Sequence, residues 1–128
     1  MDIQVVPGRF SVCMVESLNG VDISQPFCFF ARTDEEWSLT CETDRVPENT
    51  LAREDGWGML RICGTLDFAL IGILAGVSKV LADAGVGIFA VSTYRTDYIL
   101  MKETALEAGL NALRQAGYHV LAEGEKTL

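Results

Sequence analysis

No part of this chain offers a membrane span. Nearly half of its 128 residues are apolar, yet no run reaches the roughly 18 to 20 uncharged residues that a spanning helix needs. The start, Met1-Asp2-Ile3-Gln4, has an acid where a secretory signal carries basic residues, and no apolar segment with a cleavage site follows. The expected location is therefore the cytoplasm. Positive charge is also scarce. Ten Lys and Arg stand against 18 Asp and Glu, a formal charge of −8, and the basic residues are scattered. That pattern excludes a surface tracking the phosphates of nucleic acid, and it argues equally against anionic membranes. The acids are densest from Asp34 to Asp55, but Trp37, Leu39 and Val46 interrupt them, as on a solvated face with turns.

Residues for catalysis and metal binding are sparse. Cys13, Cys28, Cys41 and Cys63 contain no Cys-x-x-Cys pair, and each sits inside a strand-like run. They read as free, buried thiols, and no metal site is expected. His119 is the single histidine, placed near an end strand with no recognisable acid or nucleophile beside it. Ser92 lacks a Gly-x-Ser-x-Gly elbow, and neither a Gly-x-x-x-x-Gly-Lys loop nor a His-Glu-x-x-His helix occurs. Gly85 and Gly87 bracket a helix end, the wrong polarity for cradling phosphate. The chain is expected to be no enzyme and to need no cofactor.

What is present is organised around Arg61 to Lys102. Arg61 to Gly64 ends a strand, and Leu66 to Gly72 turns into a helix carrying Leu70, Leu74, Val77, Leu81 and Ala84 at spacings of three and four. Gly85 stops the helix. Val86 to Ser92 and Asp97 to Lys102 read as strands around the polar turn Thr93-Tyr94-Arg95-Thr96, a hairpin. Thr104 and Glu107 have the form of a capping box, and Leu106, Leu110 and Leu113 line a second helix that runs to Gly117. His119 to Ala122 reads as a short last strand.

The first half looks like a shortened copy. Met1 to Gly8 reads as a lead-in, Phe10 to Glu16 as a strand, and Ser17 to Pro26 as a loop in place of a helix. Phe27 to Arg32 and Trp37 to Cys41 form a hairpin around Thr33 to Glu36. Phe29 then matches Phe89 and Thr33 matches Thr93. After a one-residue slip at the tip, Trp37 matches Tyr98 and Leu39 matches Leu100, an internal repeat. Val46-Pro47-Glu48-Asn49 suits a helix start continuing through Ala52 to Asp55. The expected architecture is α+β, a ferredoxin-like βαββαβ sandwich, with a shortened unit at 1–56 and a complete one at 57–128. Whether Trp57 to Cys63 serves one unit or both is left open.

Leu66-Asp67-Phe68 with Gly72-Ile73-Leu74-Ala75, followed by Ala84-Gly85-Val86-Gly87-Ile88-Phe89-Ala90-Val91-Ser92-Thr93-Tyr94-Arg95-Thr96-Asp97-Tyr98-Ile99-Leu100, resembles ACT domains. The likeness covers about Arg9 to Val120. It is closer to the tandem ACT group that includes small bacterial proteins and the CASTOR arginine sensors. The resemblance implies a regulatory module of ACT βαββαβ fold that binds a small molecule, an amino acid, where two units meet. It also implies a homodimer, since the first half lacks the helix and the acidic turn of the pattern. The implied ligand residues are Asp67, Phe68, Gly72, Gly87 and Ile88 on one side and Thr93, Tyr94 and Asp97 on the facing unit.

The chemistry suits such a ligand. Backbone N–H groups at the start of the helix after Asp67 can hold an α-carboxylate, and Asp97 can pair with an α-ammonium or a guanidinium. Plainer roles stand beside these. Asp67 can cap its helix, Asp97 can stabilise the turn, Gly72 can serve close packing, and Tyr94 can be an exposed turn residue. Two other functions remain open on sequence grounds. One is an interaction module that docks on an enzyme or regulator without a metabolite; the other is a small enzyme using Asp97 or Asp67 as acid or base.

Overall fold

The computed structural model describes residues 2–63 and 72–121. In chain order the elements are β1 (Asp2–Val15), β2 (Phe29–Arg32), β3 (Trp37–Glu42), a 3₁₀ turn (Thr43–Arg45), β4 (Thr50–Ile62), α1 (Ile73–Asp83), β5 (Phe89–Ser92), β6 (Asp97–Lys102), α2 (Glu103–Gln115) and β7 (His119–Leu121). The fold is α+β, with largely antiparallel strands and two helices. The chain divides into an N-terminal unit, 8–57, and a C-terminal unit, 1–7 with 58–128. No helix of the described residues is long and apolar enough to cross a membrane.

In the C-terminal unit the strand order is β5-β6-β4-β1-β7. Cys63 N–H donates to the Asp2 carbonyl at 2.9 Å, while Arg61 Nη1 donates to Gln4 Oε1 at 3.3 Å. The partner number falls as β1 advances, so β1 and β4 run antiparallel here. The three residues of β7 pair with β1 in parallel, from Asp2 opposite His119 to Gln4 opposite Leu121. Strand alternation sends Leu60 and Ile62, and likewise Ile99 and Met101, to one face, where they meet Val77 and Leu81 of α1 and Leu110 and Leu113 of α2. Gly109 marks the closest approach. A Cβ there would lie 2.7 Å from Met101 Sδ and 3.3 Å from Leu81 Cδ2, so only a glycine lets α2 sit at this depth without a shift.

Both helices end in the same way. Gly85 (φ 78°) and Gly117 (φ 98°) take the left-handed conformation. Gly85 N–H bonds Ala82 O and Val86 N–H bonds Leu81 O, both at 2.9 Å, while Gly117 and Tyr118 bond Arg114 and Leu113 at 3.0 Å. These are Schellman motifs, sealed by Val86 and Tyr118 in the core. The starts differ from expectation. Lys102 caps α2 without any side-chain hydrogen bond, so Thr104 and Glu107 make no capping box because the helix already begins at Glu103. The expected Leu70 of α1 lies outside the described residues.

In the N-terminal unit the order is β2-β3-β1-β4. β1 pairs antiparallel with β3, from Phe10 opposite Glu42 to Met14 opposite Ser38, and β3 with β2. Cys13, Val15, Leu39 and Cys41 form its small core, with Val21, Cys28, Phe30, Trp37 and Val46 packed on them. Two sequence expectations fail here. Met1 to Gly8 is no lead-in, because β1 begins at Asp2 and passes through Pro7-Gly8, with Gly8 at φ 109°, a conformation glycine adopts freely, as in a β-bulge. Val46 to Asp55 starts no helix. Glu16 N–H bonds Asn49 O at 3.1 Å and Ser11 Oγ donates to Asp55 Oδ1 at 2.5 Å, so pairing with β1 overrides the helix propensity of Ala52, Arg53 and Glu54.

The two hairpins share one register. Phe29 lies opposite Thr40 and Arg32 opposite Trp37; Phe89 lies opposite Leu100 and Ser92 opposite Asp97. The offset is therefore 60 throughout. The expected one-residue slip at the tip is absent, and Trp37 corresponds to Asp97 rather than to Tyr98.

Candidate functional site

The site begins at the tip between β5 and β6. Thr93 N–H donates to Thr96 O at 2.9 Å, and Thr93 Oγ1 donates to the same carbonyl at 3.0 Å. Thr96 is only 6% exposed, and its hydroxyl donates to Ile62 O at 2.6 Å. That buried bond fastens the tip to the last residue of β4, just ahead of the segment that holds Asp67 and Phe68. At the base of the tip, Ser92 Oγ donates to Asp97 Oδ1 at 2.6 Å across the strand pair. Tyr94 is 83% exposed at the crest.

Thr93, Tyr94 and Asp97 thus share one turn. Gly72, Gly87 and Ile88 lie instead near the two ends of α1, and Asp67 and Phe68 fall outside the described residues. Gly72 caps α1 at φ 84°, and no described atom lies within 4 Å of where its Cβ would stand. Its left-handed backbone conformation accounts for the glycine. The donors at the start of α1 are consequently those of Ile73 to Ala75, since Gly76 N–H already bonds Gly72 O at 2.8 Å. Gly87 is exposed and open, while Ile88 packs on the helix-covered core.

Sequence reasoning missed three contributors. Thr96 read as one more polar turn residue, and Ser92 as the end of a strand. Arg61, the one charge between Leu60 and Ile62, points to the face away from the helices, where its guanidinium lies 5.4 Å over the Tyr98 ring and reaches Gln4. That lone charge in an apolar alternation was the available signal. His119, expected to have no acid beside it, has Asp2 Oδ1 at 3.2 Å from its Nδ1, on an exposed edge.

The thiols are poorly suited to chemistry. Burial raises the pKa of Cys13, Cys28 and Cys63, and desolvation, aided by the neighbouring Cys13 and Cys28, pushes Cys41 up to about 12. Among the described residues no group of three His, Cys, Asp or Glu could hold a metal ion.

An α+β scaffold presenting a polar turn defines the class of fold. Its family follows from comparison with known proteins: the ACT domain matches residues 52–115, which are 64 of the 128, and the chain belongs to the ACT-domain family. Among solved structures, a protein from Agobacterium tumefaciens is 27% identical, with 99% of this chain and 96% of that one covered and a TM-score of 0.84. A protein of unknown function from Vibrio cholerae, described as a possible transport protein, is 19% identical over 89% of this chain and 88% of its own, with a TM-score of 0.69. The ligand-free regulatory subunit of aspartate kinase from Thermus thermophilus is 12% identical, over 90% and 96%, with a TM-score of 0.63. The last two likenesses are of fold alone. No curated protein matches the chain.

Proposed function

We propose that this chain is a non-catalytic regulatory module of the cytoplasm that binds a small molecule, an amino acid, without a cofactor. The ligand sits where ACT units meet in a homodimer. In this reading the chain holds two ACT-like units of ferredoxin-like plan, a shortened one at 1–56 and a complete βαββαβ one at 57–128, and it groups with the tandem ACT proteins that include the CASTOR sensors. The constant offset of 60 between the hairpins supports the repeat. Family membership and the likeness to a regulatory subunit of aspartate kinase support the regulatory role.

The observation that carries the reading is the buried bond from Thr96 Oγ1 to Ile62 O at 2.6 Å. It couples the turn bearing Thr93, Tyr94 and Asp97 to the strand end that leads toward Asp67, Phe68 and Gly72. The α-carboxylate goes to the N–H groups at the start of α1, beside Gly72, with Gly87 and Ile88 following that helix. The ammonium or a cationic side chain goes to Asp97 of the facing unit, whose Oδ1 is already oriented by Ser92.

A thermal-shift screen of the purified protein against the twenty amino acids tests this, repeated on Asp97→Ala. A ligand at about a hundred times its Kd adds roughly 2.7 kcal/mol, and the variant loses the response. No response from any amino acid would overturn the metabolite reading. It would favour the rival, a module that docks on an enzyme or regulator through the tip crowned by the exposed Tyr94.

A further inference from the structure

We propose that Asn19 is a modification site, a carboxamide that the loop after β1 presents for spontaneous conversion to isoaspartate. It stands independently of the amino-acid site proposed above. Asn19 and Gly20 are the central residues of a turn that Val21 N–H closes on Leu18 O at 3.0 Å. Both are exposed. Gly20 stands at φ +81°, the left-handed conformation that a type II turn demands at its third position. A Cβ there would also lie 3.3 Å from Pro47 Cβ, so the turn keeps its glycine. The same missing side chain leaves the Gly20 nitrogen unshielded next to the Asn19 carboxamide. Among the described residues no hydrogen bond holds either group, for the bond that Asn19 makes runs from its backbone N–H to Ser17 Oγ at 3.2 Å.

The chemistry needs only water. The Gly20 nitrogen bonds to Asn19 Cγ, the Cγ–Nδ2 bond breaks, and the Gly20 proton leaves with Nδ2 as ammonia, closing a cyclic imide. Water then opens either ring carbonyl. Opening at Cγ gives aspartate; opening at the main-chain carbonyl gives isoaspartate, with the backbone rerouted through Cβ. Either product adds a carboxylate to a chain whose formal charge is already −8. Isoaspartate also lengthens the turn by a methylene, which breaks the bond from Val21 to Leu18 and loosens Val21 from the core of Cys13, Val15, Leu39 and Cys41.

The rest of the chain supplies the contrast. Asn49 has its Nδ2 on Ser17 O at 3.4 Å and on Ser17 Oγ at 3.3 Å, and β-branched Thr50 of β4 follows it. Asn111 lies inside α2, where its Oδ1 accepts from Arg114 Nη1 at 3.3 Å. Asp55-Gly56 is the one further pair of this type, yet it sits within β4, and its carboxylate accepts from Ser11 Oγ at 2.5 Å and from Arg53 Nε at 2.9 Å.

The test is to warm the purified full chain in mildly alkaline buffer and map its tryptic peptides by mass. Segment 10–32 holds Asn19 and no other asparagine. It should gain the mass difference between a hydroxyl and an amino group, and the new residue should accept a methyl group from S-adenosylmethionine through an isoaspartyl methyltransferase. Asn19→Gln should lose both signals, since the longer amide closes its ring far more slowly. The native rate should lie within about tenfold of the rate in concentrated urea, because a turn already open to attack adds less than about 1.4 kcal/mol to the barrier. The proposal fails if the folded protein reacts more than about tenfold slower than the unfolded chain, in which case the loop protects the pair until it opens. It fails equally if the change falls first at Asn49, Asn111 or Asp55, or if segment 10–32 of Asn19→Gln gains the same mass.

Discussion

The two hairpins carry the same backbone and different chemistry. Thr33 and Thr93 open their tips identically, each N–H bonding a carbonyl three residues on, Glu36 O and Thr96 O, at 2.9 Å. In the first tip, Thr33 Oγ1 also accepts from Glu35 and Glu36 N–H at 3.1 Å. The pair that closes each tip then separates them. Arg32 lies 4.8 Å over the Trp37 ring, with its guanidinium also on the Thr33 carbonyl, whereas Ser92 donates to Asp97. The first tip is closed by stacking and satisfies itself. The second presents a carboxylate and, through Thr96, is tied into the unit that bears it. A polar turn of fixed geometry is therefore a mount, and the pair of residues that closes it decides whether it ends in a stacked ring or in a carboxylate.

The largest break in this comparison should come from the cores beneath the hairpins. Leu81→Ala and Leu39→Ala each remove a fully buried side chain and should cost about 2 to 5 kcal/mol. Leu81→Ala should lie at the upper end, since two helices hold that cavity open while Leu39 sits in a small core covered by a loop. Urea denaturation of the two variants measures the difference.

Thr96→Val should come next. It keeps the shape but leaves the Ile62 carbonyl without its donor, at a cost of about 1 to 3 kcal/mol. Glu36→Gln, at the equivalent exposed position, should stay within about 0.5 kcal/mol. Equal losses would mean that the second tip is no better anchored than the first.

The smallest effect is one of pH. A thiol whose pKa is raised on folding favours the native state while it is protonated. The contribution is complete below the ordinary value of 9.0 and is lost as pH climbs toward the folded value, about 12 for Cys41. Stability should therefore fall progressively above pH 9. Cys41→Ala should flatten that fall more than Cys63→Ala, because Cys41 is the more deeply buried thiol. Denaturation midpoints measured from pH 8 to 10.5 give the slopes.

Local signals carried much of this molecule. The strand alternations, the spacings of Leu74, Val77 and Leu81 in α1 and of Leu106, Leu110 and Leu113 in α2, and the stops at Gly85 and Gly117 were all legible, because each depends on neighbours within a turn or a strand. The start of β1 was not, since Pro7-Gly8 imitates a turn when no partner strand is known. Nor was the N-terminal part of β4, where Ala52, Arg53 and Glu54 prefer a helix in isolation. At the candidate site, Thr93, Tyr94 and Asp97 were legible as a polar turn. The Ser92 partner of Asp97 was missed because the register, not the sequence distance, sets it opposite.

The sequence by itself determined which stretches alternate, which repeat every three to four residues and where glycine ends a helix, for these are properties of the chain within one element. Only the tertiary structure decided that Thr96 bonds the carbonyl of Ile62, that Gly109 admits α2 against Met101, and that Trp37 and Asp97 stand at equivalent places. The first joins residues 34 apart in sequence, the second packs one element against another, and the third follows from strand register, so each is fixed only when burial of the apolar faces sets how the elements pair.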